Sequence, residues 1–287
     1  MTTTTTAAPV PAVPGRFARA LHTARIVLKA TAINIRGRLE YPGDFAFEII
    51  FGILWQSSTL AFAAVLISRF NGVGDFPAGA VLLIVGMRLM AHGLFTMVYG
   101  NLSDALAELV EEARVEGYFL RPLPVLTQIL ISRFNVNAFG DFAVGAVVCG
   151  FGIAQVPIDW TPAKLLYLAA AVLGGMYLEA AVQLPIAALM LRSPLAHGVG
   201  KWIDDIMATI GNYPLSILPL VLRVAFTFVL PVAFVAYFPV LVLLGEAPAD
   251  APWSWIVASS PVVCYLLYLC AKRFWNWNLS RYTSIGG

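Results

Sequence analysis

Six long stretches of the chain are apolar and carry few or no charges. They run approximately over Phe45–Ser68, Pro77–Tyr99, Val136–Val156, Leu165–Leu191, Leu220–Leu244 and Trp253–Ala271. A helix needs about 20 apolar residues to cross about 30 Å of hydrocarbon, and these stretches have that length. The pattern predicts an all-α membrane protein with six transmembrane helices and both termini on one side.

Basic residues beside these stretches predict the orientation. Fifteen Lys and Arg fall on the side of the termini and the two long loops, against Arg69 and Lys164 on the other side. Lys and Arg near the ends of spans are retained in the cytoplasm. We therefore expect cytoplasmic termini, and long cytoplasmic loops after the second and the fourth span.

The chain divides into three predicted regions, which are a disordered tail over 1–15, an amphipathic interfacial helix over 16–40 and a six-helix transmembrane domain over 41–280. In the second region apolar residues form one helical stripe and basic residues occupy the opposite face, namely Phe17, Leu21, Ala24, Leu28 and Ile35 against Arg25, Lys29, Arg36 and Arg38. Such a helix lies in the membrane interface beside anionic lipid head groups. A short soluble helix packed on the protein's own loops is the alternative.

The composition narrows the class of protein. Hydrophobic residues make up 60% of the 287 residues and charged residues 12%, where soluble domains carry about 25%. The mean hydropathy is +0.81. The net charge of +2 is small and its basic residues follow the spans, so we expect no nucleic-acid partner. Cys149, Cys264 and Cys270 lie in apolar stretches and are expected to be packing residues.

The motifs of several enzyme classes are missing from the sequence. The nearest fragment to a phosphate-binding loop, Gly198–Trp202, lacks the first Gly and the hydroxyl residue. A magnesium–diphosphate site needs spaced carboxylates, but the tight acidic pair Asp204–Asp205 points about 100° apart on a helix. The three His lie in different segments. We predict no catalytic, cofactor-binding or metal-binding residue in this chain.

A polar cluster is predicted inside the membrane. Arg88 and His92 lie four residues apart in the second span, and Glu179 lies near the middle of the fourth span with Gln183 one turn on. An unpaired charge at that depth costs several kcal/mol, so Arg88 and Glu179 are expected to pair. The cluster either lines a substrate path or gate, or is a structural ion pair that ties two helices together.

The loop after the second span contains a short acidic amphipathic helix. Over 101–116 apolar residues share one side and the carboxylates Asp104, Glu108, Glu111 and Glu112 lie mostly on another. The helix is predicted to end at Gly117, before Arg121 and Pro122 restart the chain. This helix either contacts a soluble partner that moves it, or is a solvated loop helix without a partner.

Prolines interrupt the fifth span. Tyr213 and Pro214 form a break before it, a kink is expected near Pro231, and a second break near Pro239 would leave a short outer segment before Gly245. This segment is either a gate or a kinked span packed against its neighbours.

Two sequence runs resemble a known family. The run Glu112–Pro124 resembles the loop after the second span of bacterial type-two ABC export permeases, in which Arg-x-Gly-x-Leu-Asp-x-Tyr-Leu-Leu-Arg-Pro-Leu recurs, although Ala113 and Glu116 depart from it. The segment Gly211–Leu215, then Arg223 and then Phe226–Phe234 is similar to the fifth-span region of one subfamily of these permeases. The resemblance covers residues 16 to 280.

The resemblance implies a permease subunit of the bacterial inner membrane, without its own ATPase. It implies two copies of a separate ATP-binding cassette ATPase, which hold the ATP and magnesium, and a second permease subunit that is the same or a related chain. It makes the loop helix a coupling helix that docks on the ATPase through Asp104, Glu108, Glu111, Glu112, Glu116 and Arg121, and we expect a second contact at His197–Ile210.

The expected substrate is an amphipathic or lipophilic molecule such as a drug, antibiotic or lipid, exported as in multidrug efflux. Two alternatives stay open. One is a stand-alone ion-coupled transporter that uses Arg88, His92 and Glu179 as a relay, although no inverted repeat is evident. The other is a membrane enzyme acting on lipid-linked substrates, which the missing carboxylate pairs disfavour.

Overall fold

The computed structural model describes residues 25–26, 28–33, 35–37, 40–70, 72–73, 76–100, 102–112, 114–132, 135, 138–193, 196–246 and 254–282. The tail predicted over 1–15 and the first part of the predicted interfacial helix lie outside these residues. Within the rest of that helix, residues 25–26, 28–33 and 35–37 are helical. Leu28 is 71% exposed, so its apolar side chain is not packed on the described part of the chain.

The described chain is almost entirely helical. Its helices are α1 (Pro42–Phe70), α2 (Ala78–Val98), α3 (Leu102–Glu111), α4 (Glu116–Phe119), α5 (Val125–Ser132), α6 (Ala138–Gln155), α7 (Pro162–Met190), α8 (Ala196–Ile210), α9 (Leu220–Phe228), α10 (Tyr237–Leu244), α11 (Ser254–Ala258) and α12 (Ser260–Leu279). Two 3₁₀ turns, Leu215–Ile217 and Val232–Phe234, flank α9. The strands β1 (Gly72–Val73) and β2 (Phe76–Pro77) pair antiparallel, Gly72 with Pro77 and Val73 with Phe76.

Three helical stretches in the described residues are long and apolar enough to cross a membrane. They are Ala78–Glu111, which contains α2 and α3, Ala138–Gln155, which is α6, and Pro162–Met190, which is α7. They overlap the predicted second, third and fourth spans, with ends that differ by a few residues or, at Glu111, by the added helix α3. The total of six spans and the orientation remain predictions.

A seam of glycines joins α2 to α6. Gly79, Gly86 and Gly93 recur every seven residues on α2, and Gly145 and Gly152 have the same spacing on α6. A Cβ on Gly93 would lie 2.7 Å from the backbone nitrogen of Phe142, so there is no room for one. Small residues allow helix backbones to approach closely in membranes, where packing drives association. The seam makes α2 and α6 a tight antiparallel pair.

The helix α7 lies at the centre of the described bundle, in contact with α2, α3, α8 and α12. Against α12, the ring of Tyr177 lies 4.9 Å from the ring of Tyr268. The Tyr268 hydroxyl lies 2.8 Å from the hydroxyl of Tyr99, which follows α2. The helix α7 therefore connects α2, α3, α8 and α12 to one another.

The predicted fifth span is interrupted around Pro231 but continuous at Pro239. The helix α9 ends at Phe228, a 3₁₀ turn follows Pro231, and α10 begins at Tyr237. The short outer segment expected before Gly245 is α10, but the break that precedes it ends at Ala236 rather than at Pro239. Pro239 lies in the first turn of α10, where backbone N–H groups lack helical partners anyway, so its missing donor costs nothing there.

Two other predicted boundaries need correction. The loop helix does not run to Gly117, because α3 ends at Glu111 and Gly117 lies inside α4. The N–H of Arg114 donates to the Leu109 carbonyl at 2.9 Å, which closes the end of α3. The predicted sixth span is divided between α11 and α12, and α12 continues to Leu279.

Candidate functional site

The polar cluster lies between α2 and α7. Nη1 of Arg88 is 2.9 Å from Oε1 of Glu179, and Nδ1 of His92 is 2.8 Å from Oε2 of the same carboxylate. Arg88 and His92 reach one carboxylate because they are one helical turn apart on α2. The hydroxyl of Thr96 lies 3.4 Å from Nε2 of His92, one turn further on. Glu179 thus binds both α2 residues at once.

The members of the cluster differ in burial. The side chains of Arg88 and Glu179 are 2% and 1% exposed, whereas His92 is 21% exposed. Removing one partner of a buried ion pair leaves an uncompensated charge and costs about 3–5 kcal/mol. The pair therefore fixes α2 against α7, and His92 is the member through which water or a ligand can reach the cluster.

The helix α8 covers this cluster from the other side. Nε2 of Gln183 donates to the carbonyl of Gly200 at 3.3 Å, which links α7 to α8. Gly211, just after α8, lies so close to Arg88 that a Cβ there would be 2.8 Å from its Nε. Gln183 therefore does not join Arg88 and His92 on Glu179, but extends the polar cluster to α8.

Asp204 of α8 faces the same cluster and was not among the predicted site residues. Its pKa is raised above the usual value, first by burial and also by the charge of Glu179, while His92, Gln183 and Arg88 oppose the shift. No sequence pattern indicates it, and its position becomes clear only from the burial of its neighbours on α8. Gly200 and Met207, which are buried, lie four residues before and three after Asp204 and so share its helical face.

The predicted coupling helix α3 is anchored by its apolar face. Leu102, Ala105, Leu106 and Leu109 are all buried, with Leu106 fully so. Leu106 and Leu109 belong to a core that also contains Leu184 of α7 and Trp275 of α12. A displacement of α3 would therefore be transmitted to α7 and to α12.

Most carboxylates of α3 are paired within the chain. Oδ1 of Asp104 lies 2.9 Å from Nε2 of His197 and 3.6 Å from Nζ of Lys201, both on α8. Arg114 pairs with Glu108 at 3.2 Å and also with Glu112. Asp104 thus joins the two predicted partner-binding helices, α3 and α8. Glu108 and Glu112 hold the turn after α3.

The most exposed apolar residues of this region follow α3, on and after α4. Leu120 is 89% exposed and Phe119 45% exposed. We call the exposed segment Phe119–Leu120 the tip. The amide of Gln128 donates to the carbonyls of Tyr118 at 2.9 Å and of Leu123 at 2.6 Å, and so fixes the backbone on both sides of the tip. Arg121 stacks on the Tyr118 ring, with Cζ 5.1 Å from the ring centre. Glu111 and Glu116 are exposed beside the tip.

The predicted gate residues lie at two separate breaks. Tyr213 is half-buried after α8, and its N–H donates to the Ile210 carbonyl at 3.2 Å. Pro214 is buried and precedes the first 3₁₀ turn. Pro231 precedes the second 3₁₀ turn. Their role in gating remains a prediction.

The described residues contain no group of three or more His, Cys, Asp or Glu side chains arranged to hold a metal ion. Cys149, Cys264 and Cys270 are free thiols, and the first two are buried.

Long apolar helices and a charge pair buried between two of them define an integral membrane protein. The family model described as ABC-2 family transporter protein matches residues 53–286. The chain therefore belongs to the ABC-2 family of transporter membrane proteins, whose members are membrane subunits served by an ABC ATPase. Neither the curated proteins nor the solved structures contain a match to this chain.

Proposed function

We propose that this chain is the permease subunit of an ATP-driven exporter in the bacterial inner membrane. It forms half of the translocation pathway through six spans, and a second permease subunit, identical or related, forms the other half. Two ATPase subunits bind ATP and magnesium and drive the switch between inward and outward access. The substrate is an amphipathic or lipophilic molecule such as a drug, antibiotic or lipid. The family match is the observation that carries the proposal.

The loop formed by α3 and α4 is the proposed coupling element. Its buried face packs on α7 and α12, and its outer face presents Glu111, Glu116, Phe119 and Leu120. An exposed apolar tip flanked by carboxylates suits a partner groove with an apolar floor and a basic rim. The ATPase would press on the tip, and α3 would transmit the movement to the spans.

The helix α8 is the proposed second contact. Asp104 links it to α3 through His197 and Lys201, and Gln183 links it to the buried cluster. A push on either helix would therefore reach Glu179 and its partners, which supports a role for the cluster in holding one access state closed.

A charge reversal at the tip tests this interface. In the tagged chain purified from its native membrane in mild detergent, changing Glu111 and Glu116 together to Lys is expected to lower the copurified ATPase by about tenfold or more, since like charges across an interface cost several kcal/mol. Glu108 and Glu112 are left unchanged because they pair with Arg114. Immunoblotting or mass spectrometry of the eluate measures the loss.

The control is Asp159→Lys, which reverses one exposed carboxylate on the loop between α6 and α7, away from the tip. It should leave the copurified ATPase unchanged. Equal recovery of ATPase with wild type and with the double variant, both folded, would contradict the proposed interface.

An ion-coupled transporter working alone is the second candidate. His92 favours it because its imidazole is 21% exposed and lies 2.8 Å from the buried carboxylate of Glu179, so it connects that carboxylate to the surface. That function requires transport by the purified chain in response to an ion gradient and without ATP.

A further inference from the structure

A cavity of about 610 Å³ lies between α9 and the elements that follow it. Val224 of α9 lines one side, and Phe234, Tyr237 and Phe238 line the other. Sites for small organic ligands measure about 300–1,000 Å³, so this cavity has the volume for one drug-sized molecule. It is separate from the buried cluster, since neither Arg88 nor Glu179 lines it.

One wall of the cavity is a continuous aromatic surface. The ring centres of Phe234 and Phe238 are 4.9 Å apart, those of Tyr237 and Phe238 are 5.6 Å apart, and Phe76 lies 5.7 Å from Tyr237. Phe76, Phe234 and Phe238 are each less than 10% exposed, so their positions are fixed by packing. Rigid aromatic surfaces bind flat apolar bodies without losing much conformational entropy.

A cation and a carboxylate also line the cavity. Nη2 of Arg223 donates to the carbonyls of Ser216 at 2.7 Å and of Leu218 at 3.3 Å, which orients the guanidinium. A guanidinium has five N–H donors, so others remain for a ligand. The Ser216 hydroxyl, also in the lining, is buried and has no hydrogen-bond partner among the described residues.

Glu246 is the carboxylate of the cavity. Its backbone N–H donates to the Leu241 carbonyl at 2.9 Å, and the preceding Gly245 adopts a left-handed conformation with φ of 78°. This closure of α10 places Glu246 just beyond the aromatic wall. Arg223 and Glu246 both line the cavity and form no ion pair with each other or with another described residue, so neither charge is neutralised within the described part of the chain.

We propose that this cavity binds a zwitterionic amphiphile with an aromatic body. The body lies on Phe234, Tyr237 and Phe238, an acidic group binds Arg223, and an amine binds Glu246. The proposed ligand specifies the substrate class of the proposed exporter. It rests on the proposed export function only for the claim that the ligand is exported. Binding itself requires no ATPase.

Four probes that share one fluorescent body test the charge preference. Dansylamide is neutral, dansylglycine is an anion, dansylcadaverine is a cation, and Nε-dansyl-lysine carries both charges. Their fluorescence is titrated against the full chain in lipid nanodiscs, with empty nanodiscs subtracted. We expect Nε-dansyl-lysine to bind about tenfold or more tightly than dansylamide, because charge-assisted hydrogen bonds contribute more than neutral ones.

Two matched variants separate the charges. Arg223→Gln is expected to weaken dansylglycine and Nε-dansyl-lysine by about tenfold and to leave dansylcadaverine unchanged. Glu246→Gln is expected to weaken dansylcadaverine and Nε-dansyl-lysine instead. Arg192→Gln, outside the cavity, should change none of the four, and Val224→Trp, which fills the cavity, should weaken all four.

Equal binding of the four probes, or an affinity order that neither Arg223→Gln nor Glu246→Gln alters, would overturn the proposal. So would binding that survives Val224→Trp in a folded chain. If the probes bind as described but no ATPase copurifies with the chain, the ligand site stands and the proposed ATP-driven function fails.

Discussion

Glu179→Gln is expected to lower the free energy of unfolding by about 3–5 kcal/mol, because it leaves the guanidinium of Arg88 buried without its carboxylate. Arg88 is only 2% exposed and therefore has no route to water in the folded chain. The loss is measured by denaturant unfolding in detergent micelles. Glu112→Gln, which breaks an exposed pair with Arg114, should cost less than about 1 kcal/mol and is the control.

A double variant decides whether this pair is structural or functional. Arg88→Met with Glu179→Leu removes both charges and is expected to recover most of the lost stability, since apolar residues of similar volume replace buried ion pairs well. Transport that is retained by the folded double variant assigns the pair a structural role. A stable variant without transport assigns it to the pathway or gate. A cost of Glu179→Gln equal to that of Glu112→Gln would contradict the burial argument.

Gly86→Ala is expected to destabilise the chain by about 1–3 kcal/mol, the usual cost of overpacking. The new Cβ would overlap the backbone of Cys149 and lie 2.7 Å from the Cys149 Cβ, so α2 and α6 would have to separate. A loss of stability would point to the packing contact, because Ala is favoured over Gly in a helix by about 1 kcal/mol and would stabilise the helix if there were room for the new Cβ. Thermal unfolding of the purified variants measures the difference.

Gly150→Ala is the matched control for the seam. It lies on α6, and a Cβ there would meet nothing within 4 Å. Its melting temperature should equal or exceed that of the unchanged chain, while that of Gly86→Ala falls. If both variants melt alike, the close approach of α2 and α6 does not contribute to stability.

The positions of the long helices could be predicted because apolar length is a local property. The predicted stretch Pro77–Tyr99 agrees with α2 (Ala78–Val98), and Val136–Val156 agrees with α6 (Ala138–Gln155). The short elements were less accessible. The end of α3 depends on the hydrogen bond from Arg114 to Leu109 and on the pairing of Arg114 with Glu108, which hydropathy does not report.

The candidate site could be predicted only where its residues repeat along one helix. The spacing of Arg88 and His92 places both on one face, and depth in the membrane suggests Glu179 as their partner. Asp204 and Gly211 lie beside the buried cluster because of how α8 packs against the other helices, and no local sequence pattern specifies that packing. The glycine seam has a sequence signal, since its members recur every seven residues, but the sequence alone does not identify α6 as the partner of α2.

The central claim is that a separate ATPase docks on the α3–α4 loop, and photo-crosslinking from residue 120 tests it most directly. p-Benzoylphenylalanine replaces Leu120, which is 89% exposed, and, in a control chain, Leu166 of α7, which is 73% exposed. Irradiation of native membranes is followed by purification of the tagged chain and mass spectrometry of its adducts. The account predicts an adduct between residue 120 and a soluble ATP-binding subunit, and none from residue 166. Lipid adducts from both positions, with no ATP-binding subunit attached to residue 120, would contradict it.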